Sequence, residues 1–87
     1  MHERTLHGTR QYIAGLYPLK ELGMDIYAFT EQLRDLLGRS EDPFVYAREV
    51  EDRPQRWEVD VMNITVTFEQ HVNGKDLVLL SIGAKLA

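Results

Sequence analysis

Residues 53–85 read RPQRWEVDVMNITVTFEQHVNGKDLVLLSIGAK, and the rest of the chain must pack against whatever this stretch becomes. Trp57, Val59 and Val61 alternate with Glu58 and Asp60, the period-2 pattern of a strand with one apolar and one charged face. After Met62-Asn63 the parity changes, so that Ile64, Val66 and Phe68 are apolar and Thr65, Thr67 and Glu69 polar. A two-residue turn at Met62-Asn63 explains the change, because it sets Val61 opposite Ile64 on the same face. A second hairpin is expected at Asn73-Gly74, residues that accept the positive φ of a type I′ turn. Leu77 to Ile82 is nearly continuous apolar, which predicts a strand covered on both faces. Three antiparallel strands in a meander follow.

Upstream the periodicity is helical. Thr9 can cap a helix carrying Tyr12, Ile13, Leu16 and Tyr17 at three- and four-residue spacings, and Pro18 is expected to break it near Tyr17. A second helix starts at Asp25 as N-cap, carries the stripe Ile26, Phe29, Leu33, Leu36 and Leu37, and ends at Gly38 in a left-handed cap. Glu31 and Asp35 are a like-charged i,i+4 pair, partly offset by Arg34. Residues 1–8 are weakly patterned and read as a frayed end or a short edge strand at Thr5-Leu6-His7. Phe44 to Val50 reads as a strand with imperfect alternation, and Asp52-Arg53-Pro54 as a turn. The expected architecture is a single α+β domain over residues 1–87. An N-terminal helical hairpin (about 9–38) packs on a small antiparallel sheet (about 44–85).

Composition narrows the function classes. The 87 residues are 44% hydrophobic and 28% charged, the balance of one globular domain with one modest core. No apolar run reaches membrane-spanning length, so no membrane partner is expected. Met1-His2-Glu3-Arg4 lacks a secretory pattern and the chain has no cysteine, so a cytoplasmic location is expected. With 14 acidic and 10 basic residues the net charge is −4, which opposes indiscriminate polyanion binding. His2, His7 and His71 are scattered without ligand spacing, so no metal is expected. No phosphate loop or nucleophile elbow occurs, and no cofactor is expected. Arg48, Arg53, Arg56 and Lys85 are the candidate site residues. If pairing of the strands brings them to one face, their charges suit phosphate recognition. The alternative is that Glu49, Glu51, Asp52 and Glu58 pair with them as ordinary surface ions.

From Asp42 onward the sequence resembles RelE/ParE-superfamily toxins of bacterial toxin–antitoxin systems. The stretches that carry the likeness are Asp42-Pro43, Ala47-Arg48-Glu49-Val50, residues 54–61 (PQRWEVDV), Ile64-Thr65-Val66-Thr67-Phe68 and Ser81-Ile82-Gly83-Ala84-Lys85. The resemblance covers about half the chain and implies the same helical hairpin on an antiparallel sheet. It further implies a cognate antitoxin wrapping helices and sheet, with Tyr12, Leu19 and Leu86 as candidate contacts. For members that cut translated mRNA on the ribosome, it implies phosphate-stabilising duties for Arg48, Arg53, Arg56 and Lys85. This chain departs from that pattern: Thr65 stands where an arginine is usual, Ala84-Lys85 replaces a terminal His-Arg pair, and residues 1–8 poorly represent the first strand. Three readings remain open: a weakened mRNA interferase, a non-catalytic protein-binding relative, and an unrelated small α+β interaction domain.

Overall fold

The computed structural model describes residues 3–84. The elements run β1 (Leu6–Gly8), α1 (Arg10–Glu21), α2 (Ile26–Leu33), a π turn (Arg34–Gly38), a 3-10 turn (Pro43–Tyr46), β2 (Arg48–Val50), β3 (Arg53–Val61), β4 (Ile64–Gln70) and β5 (Leu77–Ala84). They form one five-stranded sheet in the order β1-β5-β4-β3-β2. β1 runs parallel to β5, and the remaining pairs are antiparallel. This corrects the expected architecture. The class is α+β, but the helices follow a strand, and the sheet is mixed and larger than the small antiparallel one expected. Three residues are too few for an alternation signal, and β1 becomes a strand only because β5 is there to receive it.

The first hairpin matches the parity reading. Met62 and Asn63 have φ of 52° and 65°, and the β3–β4 register pairs Val61 with Ile64, Val59 with Val66 and Trp57 with Phe68. Val59, Val61, Ile64, Val66 and Phe68 are all buried beneath the helices, and Trp57 packs against them. Phe44 from the 3-10 turn closes this end of the core, its ring 4.7 Å from Trp57 and 6.1 Å from Phe68.

The second connection differs from expectation. It spans residues 71–76, and of the Asn73-Gly74 pair only Gly74 has positive φ. Asn73 instead folds the loop with its side chain, Oδ1 accepting from the amides of Lys75 (2.8 Å) and Asp76 (2.9 Å). The apolar run of β5 also has another cause than double coverage. The register passes from Thr67–Ser81 to Phe68–Leu79, so Leu80 is an extra residue in a bulge. Leu77 and Leu79 face the core before the bulge and Ile82 does so after it, while Val78 and Leu80 are only half-buried.

Thr9 caps α1 as expected, its hydroxyl accepting from the Tyr12 amide. The helix nevertheless runs through Pro18 to Glu21. Proline removes only the bond to the Ala14 carbonyl, and both Ala14 and Pro18 are exposed, so water can take that carbonyl. Gly23, at φ 91°, ends α1: its amide donates to the Lys20 carbonyl and that of Met24 to Leu19, a Schellman pair.

Asp25 caps α2 through the Ala28 amide. Gly38 does not adopt the expected left-handed conformation. Its role is close approach: a Cβ there would lie 3.3 Å from the Arg4 carbonyl oxygen, and the Arg4 amide donates to the Gly38 carbonyl at 2.7 Å. The Arg4 guanidinium then donates to the carbonyls of Leu37, Ser40 and Glu41, satisfying orphan acceptors at the end of the helical segment. The expected strand from Phe44 is shortened to Arg48–Val50, because Asp42 accepts from the Phe44 amide and Pro43 starts a 3-10 turn.

Candidate functional site

One sheet face is covered by α1 and α2; the other is open, and its rows follow from the register. One row runs Arg48, Glu58, Thr67, Ser81; the next Asp60, Thr65, Gly83; and a third Arg56, Glu69, Val78, His7. Arg48 is held by acidic neighbours. Its two terminal nitrogens donate to both oxygens of Asp60 (3.0 and 3.2 Å), and Nε lies 3.3 Å from Glu58. The Asp60 hydrogen bond is the main cause of an Arg48 pKa raised above the ordinary guanidinium value. Thr65 donates to the same Asp60 carboxylate at 2.8 Å, so the position where an arginine is usual in the resembled toxins is a hydroxyl bound to an acid.

The other candidates are placed differently. Arg53 and Arg56 line one shallow groove with Pro54, Gln55 and Glu69 at the start of β3, although their strand parity points them to opposite faces. Neither makes an ion pair within 4 Å of another described residue. Lys85 and Leu86 lie outside the described residues. Arg48 and Arg56 therefore share the open face, with Arg48 already engaged by two carboxylates. An incoming phosphate would have to displace Asp60, although for so exposed a pair that competition is about 1 kcal/mol or less.

A cluster that no local spacing announces sits at the β1 edge. His7 Nε2 is 3.3 Å from Asp76 Oδ2, and the His7 and His71 rings have centroids 4.8 Å apart. Asp76 also accepts from the Thr5 amide and from Asn73 Nδ2, both at 3.0 Å. The Thr5 amide is the largest influence lowering the Asp76 pKa to about 2, followed by Asn73. His71 Nδ1 accepts from the Asn73 amide at 3.1 Å, which in the neutral ring places the proton on Nε2. These residues meet because β1 lies parallel beside β5, and nothing within either segment signals it. No group of three or more His, Cys, Asp or Glu among the described residues is arranged to hold a metal ion.

The helical surface carries the remaining feature. Ile13 and Tyr17, one turn apart on α1, are 48% and 66% exposed, and Leu22 and Tyr27 are 84% and 79% exposed. Tyr12, expected on an outward patch, is buried in the core, and Leu19 packs against it. The 3.6-residue period explains the exchange: Tyr12, Gly15, Leu16 and Leu19 form the inward stripe, which leaves Ile13 and Tyr17 outside. No helix among the described residues is long and apolar enough to cross a membrane. The chain matches no family model and no curated protein sequence.

Proposed function

We propose that the chain is the toxin-like member of a toxin–antitoxin pair, cytoplasmic, and acting by protein contact with little or no mRNA cleavage. The reading begins from the sequence likeness carried by residues 42–85. The observation that carries the choice of protein contact is the exposure of Ile13 and Tyr17 on α1, of Leu22 just after it and of Tyr27 on α2. An antitoxin segment with an apolar stripe would cover these side chains. Weak cleavage follows from the open face. Cutting a phosphodiester needs a base for the 2′-hydroxyl, cations on the developing charge and an acid for the leaving oxygen. Thr65 supplies no charge where a cation is needed, and a phosphate reaching Arg48 must also compete with Asp60 and Glu58, a small cost beside the missing cation.

Co-expression with the product of an adjacent short reading frame should yield a stable complex, and a Tyr17→Glu, Tyr27→Glu double variant should lose it. Separate elution of the unmodified pair at micromolar concentration, or a complex indifferent to the double variant, would remove the support for this reading. In a translating extract the unmodified chain should leave mRNA largely intact. Robust codon-positioned cleavage, abolished by Arg56→Ala, would restore the nuclease reading instead.

A further inference from the structure

Asn73-Gly74 is the one Asn-Gly step in the chain, and it lies in the exposed 71–76 loop. An asparagine followed by glycine is chemically labile, because no side chain shields the next backbone nitrogen. That nitrogen, on losing its proton, attacks Cγ and closes a five-membered succinimide. The Cγ–Nδ2 bond breaks, and ammonia leaves carrying the displaced proton. Water then opens the ring at either carbonyl, giving aspartate or isoaspartate. No oxidant, reductant or other reactant is required.

The nucleophile, the leaving amide and the carbonyl oxygen of this reaction are each held by hydrogen bonds in the folded loop. The nucleophile, Gly74 N–H, donates to the His71 carbonyl at 2.9 Å. The leaving amide, Asn73 Nδ2, donates to Asp76 Oδ2 at 3.0 Å. Oδ1 is fixed by the Lys75 and Asp76 amides. Two donors on Oδ1 would favour the oxyanion of the attack, but the Gly74 nitrogen must first give up its hydrogen bond to the His71 carbonyl, and Nδ2 its bond to Asp76, before one can attack and the other leave. Asp76 is itself tied to the Thr5 amide just before β1 and to His7 within it.

We propose that Asn73 is a site of spontaneous deamidation gated by the fold, protected while Asp76 clasps the 71–76 loop to β1 and reactive once the clasp opens. The product sustains the open state. A carboxylate at position 73 cannot donate to Asp76, and it sets a second negative charge where an amide nitrogen stood 3.0 Å from Oδ2. The Asn73 contact to Asp76 is thus lost on modification, the repulsion loosens the hold of Asp76 on Thr5, and no reverse reaction restores it.

Peptide mapping by mass spectrometry during incubation of the full chain in mildly alkaline buffer tests this. Conversion of Asn73 to acid should be about tenfold or more slower in the native chain than in concentrated urea, since reaction requires local opening. Asp76→Ala, shown folded by the near-ultraviolet signal of Trp57, should convert several-fold faster than the unmodified chain. If that variant does not fold, His7→Phe serves, keeping a ring against His71 but removing the contact to Asp76, and a smaller acceleration is expected. Equal rates in native buffer and urea, or a folded Asp76→Ala or His7→Phe variant as slow as the unmodified chain, would overturn the proposal. Asn73→Asp, imitating the product, should speed amide exchange at Thr5 several-fold, and unchanged exchange there would refute the loss of the clasp.

Discussion

Along β3 and β4, neighbouring residues of one strand live in different environments. On the covered face, Val59, Val61, Ile64, Val66 and Phe68 are almost wholly buried and belong to one apolar cluster. On the open face, Glu58, Asp60, Thr65 and Arg48 hold one another through hydrogen bonds and ion pairs within reach of water. The first face is stabilised by area removed from water, about 25 cal/mol per Å². The second contributes little to stability, because exposed ion pairs are worth roughly 0–1 kcal/mol. The fold therefore rests on one side of the sheet, and chemistry can vary on the other at small energetic cost.

The sharpest way to break this contrast is Phe68→Ala, which deletes a fully buried ring stacked 6.1 Å from that of Phe44. It should lower unfolding free energy by about 3–5 kcal/mol in urea titration. A loss below about 1 kcal/mol would mean that the covered face does not carry the fold.

Gly15→Ala probes how tightly that face is closed. A methyl group there would meet Ile82 Cγ1 at 2.6 Å, well inside contact distance. Alanine gains roughly 1 kcal/mol of helix propensity over glycine, and overpacking costs about 1–3 kcal/mol. A net destabilisation of about 1 kcal/mol is expected. In an Ile82→Ala background the same change should become stabilising. No sign reversal between the two backgrounds would show that α1 does not press on β5 at this point.

The smallest effect belongs to the edge of the open side. Asp76 titrates at about 2 in the folded chain against an ordinary 3.8, so its stabilising contribution is present above pH 3.8 and fades as pH falls toward 2. Asp76→Asn should flatten the stability profile between about pH 4 and 2 and leave its shape near neutrality unchanged. Parallel profiles for the two proteins across the acid range would show that the Thr5 and Asn73 hydrogen bonds do not persist in solution.

Much of the fold was legible in short windows. The parity change at Met62-Asn63 specified turn, register and buried face together, since a one-residue slip would bury Thr65 and Thr67. Asp25 and Thr9 were readable as caps because a cap satisfies amides two or three residues away. Errors arose where a local rule met a distant partner. Pro18 reads as a break, yet its helix continues because packing of Tyr12, Leu16 and Leu19 outweighs one lost hydrogen bond. Gly38 reads as a left-handed cap, and its actual reason is the Arg4 backbone crossing it. In the candidate site, the acids that the sequence offers as possible partners of the arginines are Glu49, Glu51, Asp52 and Glu58; Glu58 does meet Arg48, but Asp60, its bidentate partner, is not among them.

By itself, then, the sequence determined the β3–β4 hairpin, the inward faces of its strands and the starts of both helices. Each depends on periodicity or on hydrogen bonds spanning a few residues. Only the tertiary structure decided that Leu6–Gly8 joins β5 in parallel, that Leu80 bulges, and that His7, His71 and Asp76 meet. The first and last come from pairing between segments about 70 residues apart, and no local pattern encodes which distant strand will receive an unpaired edge; the bulge is set by how β5 fits β4 across their hairpin.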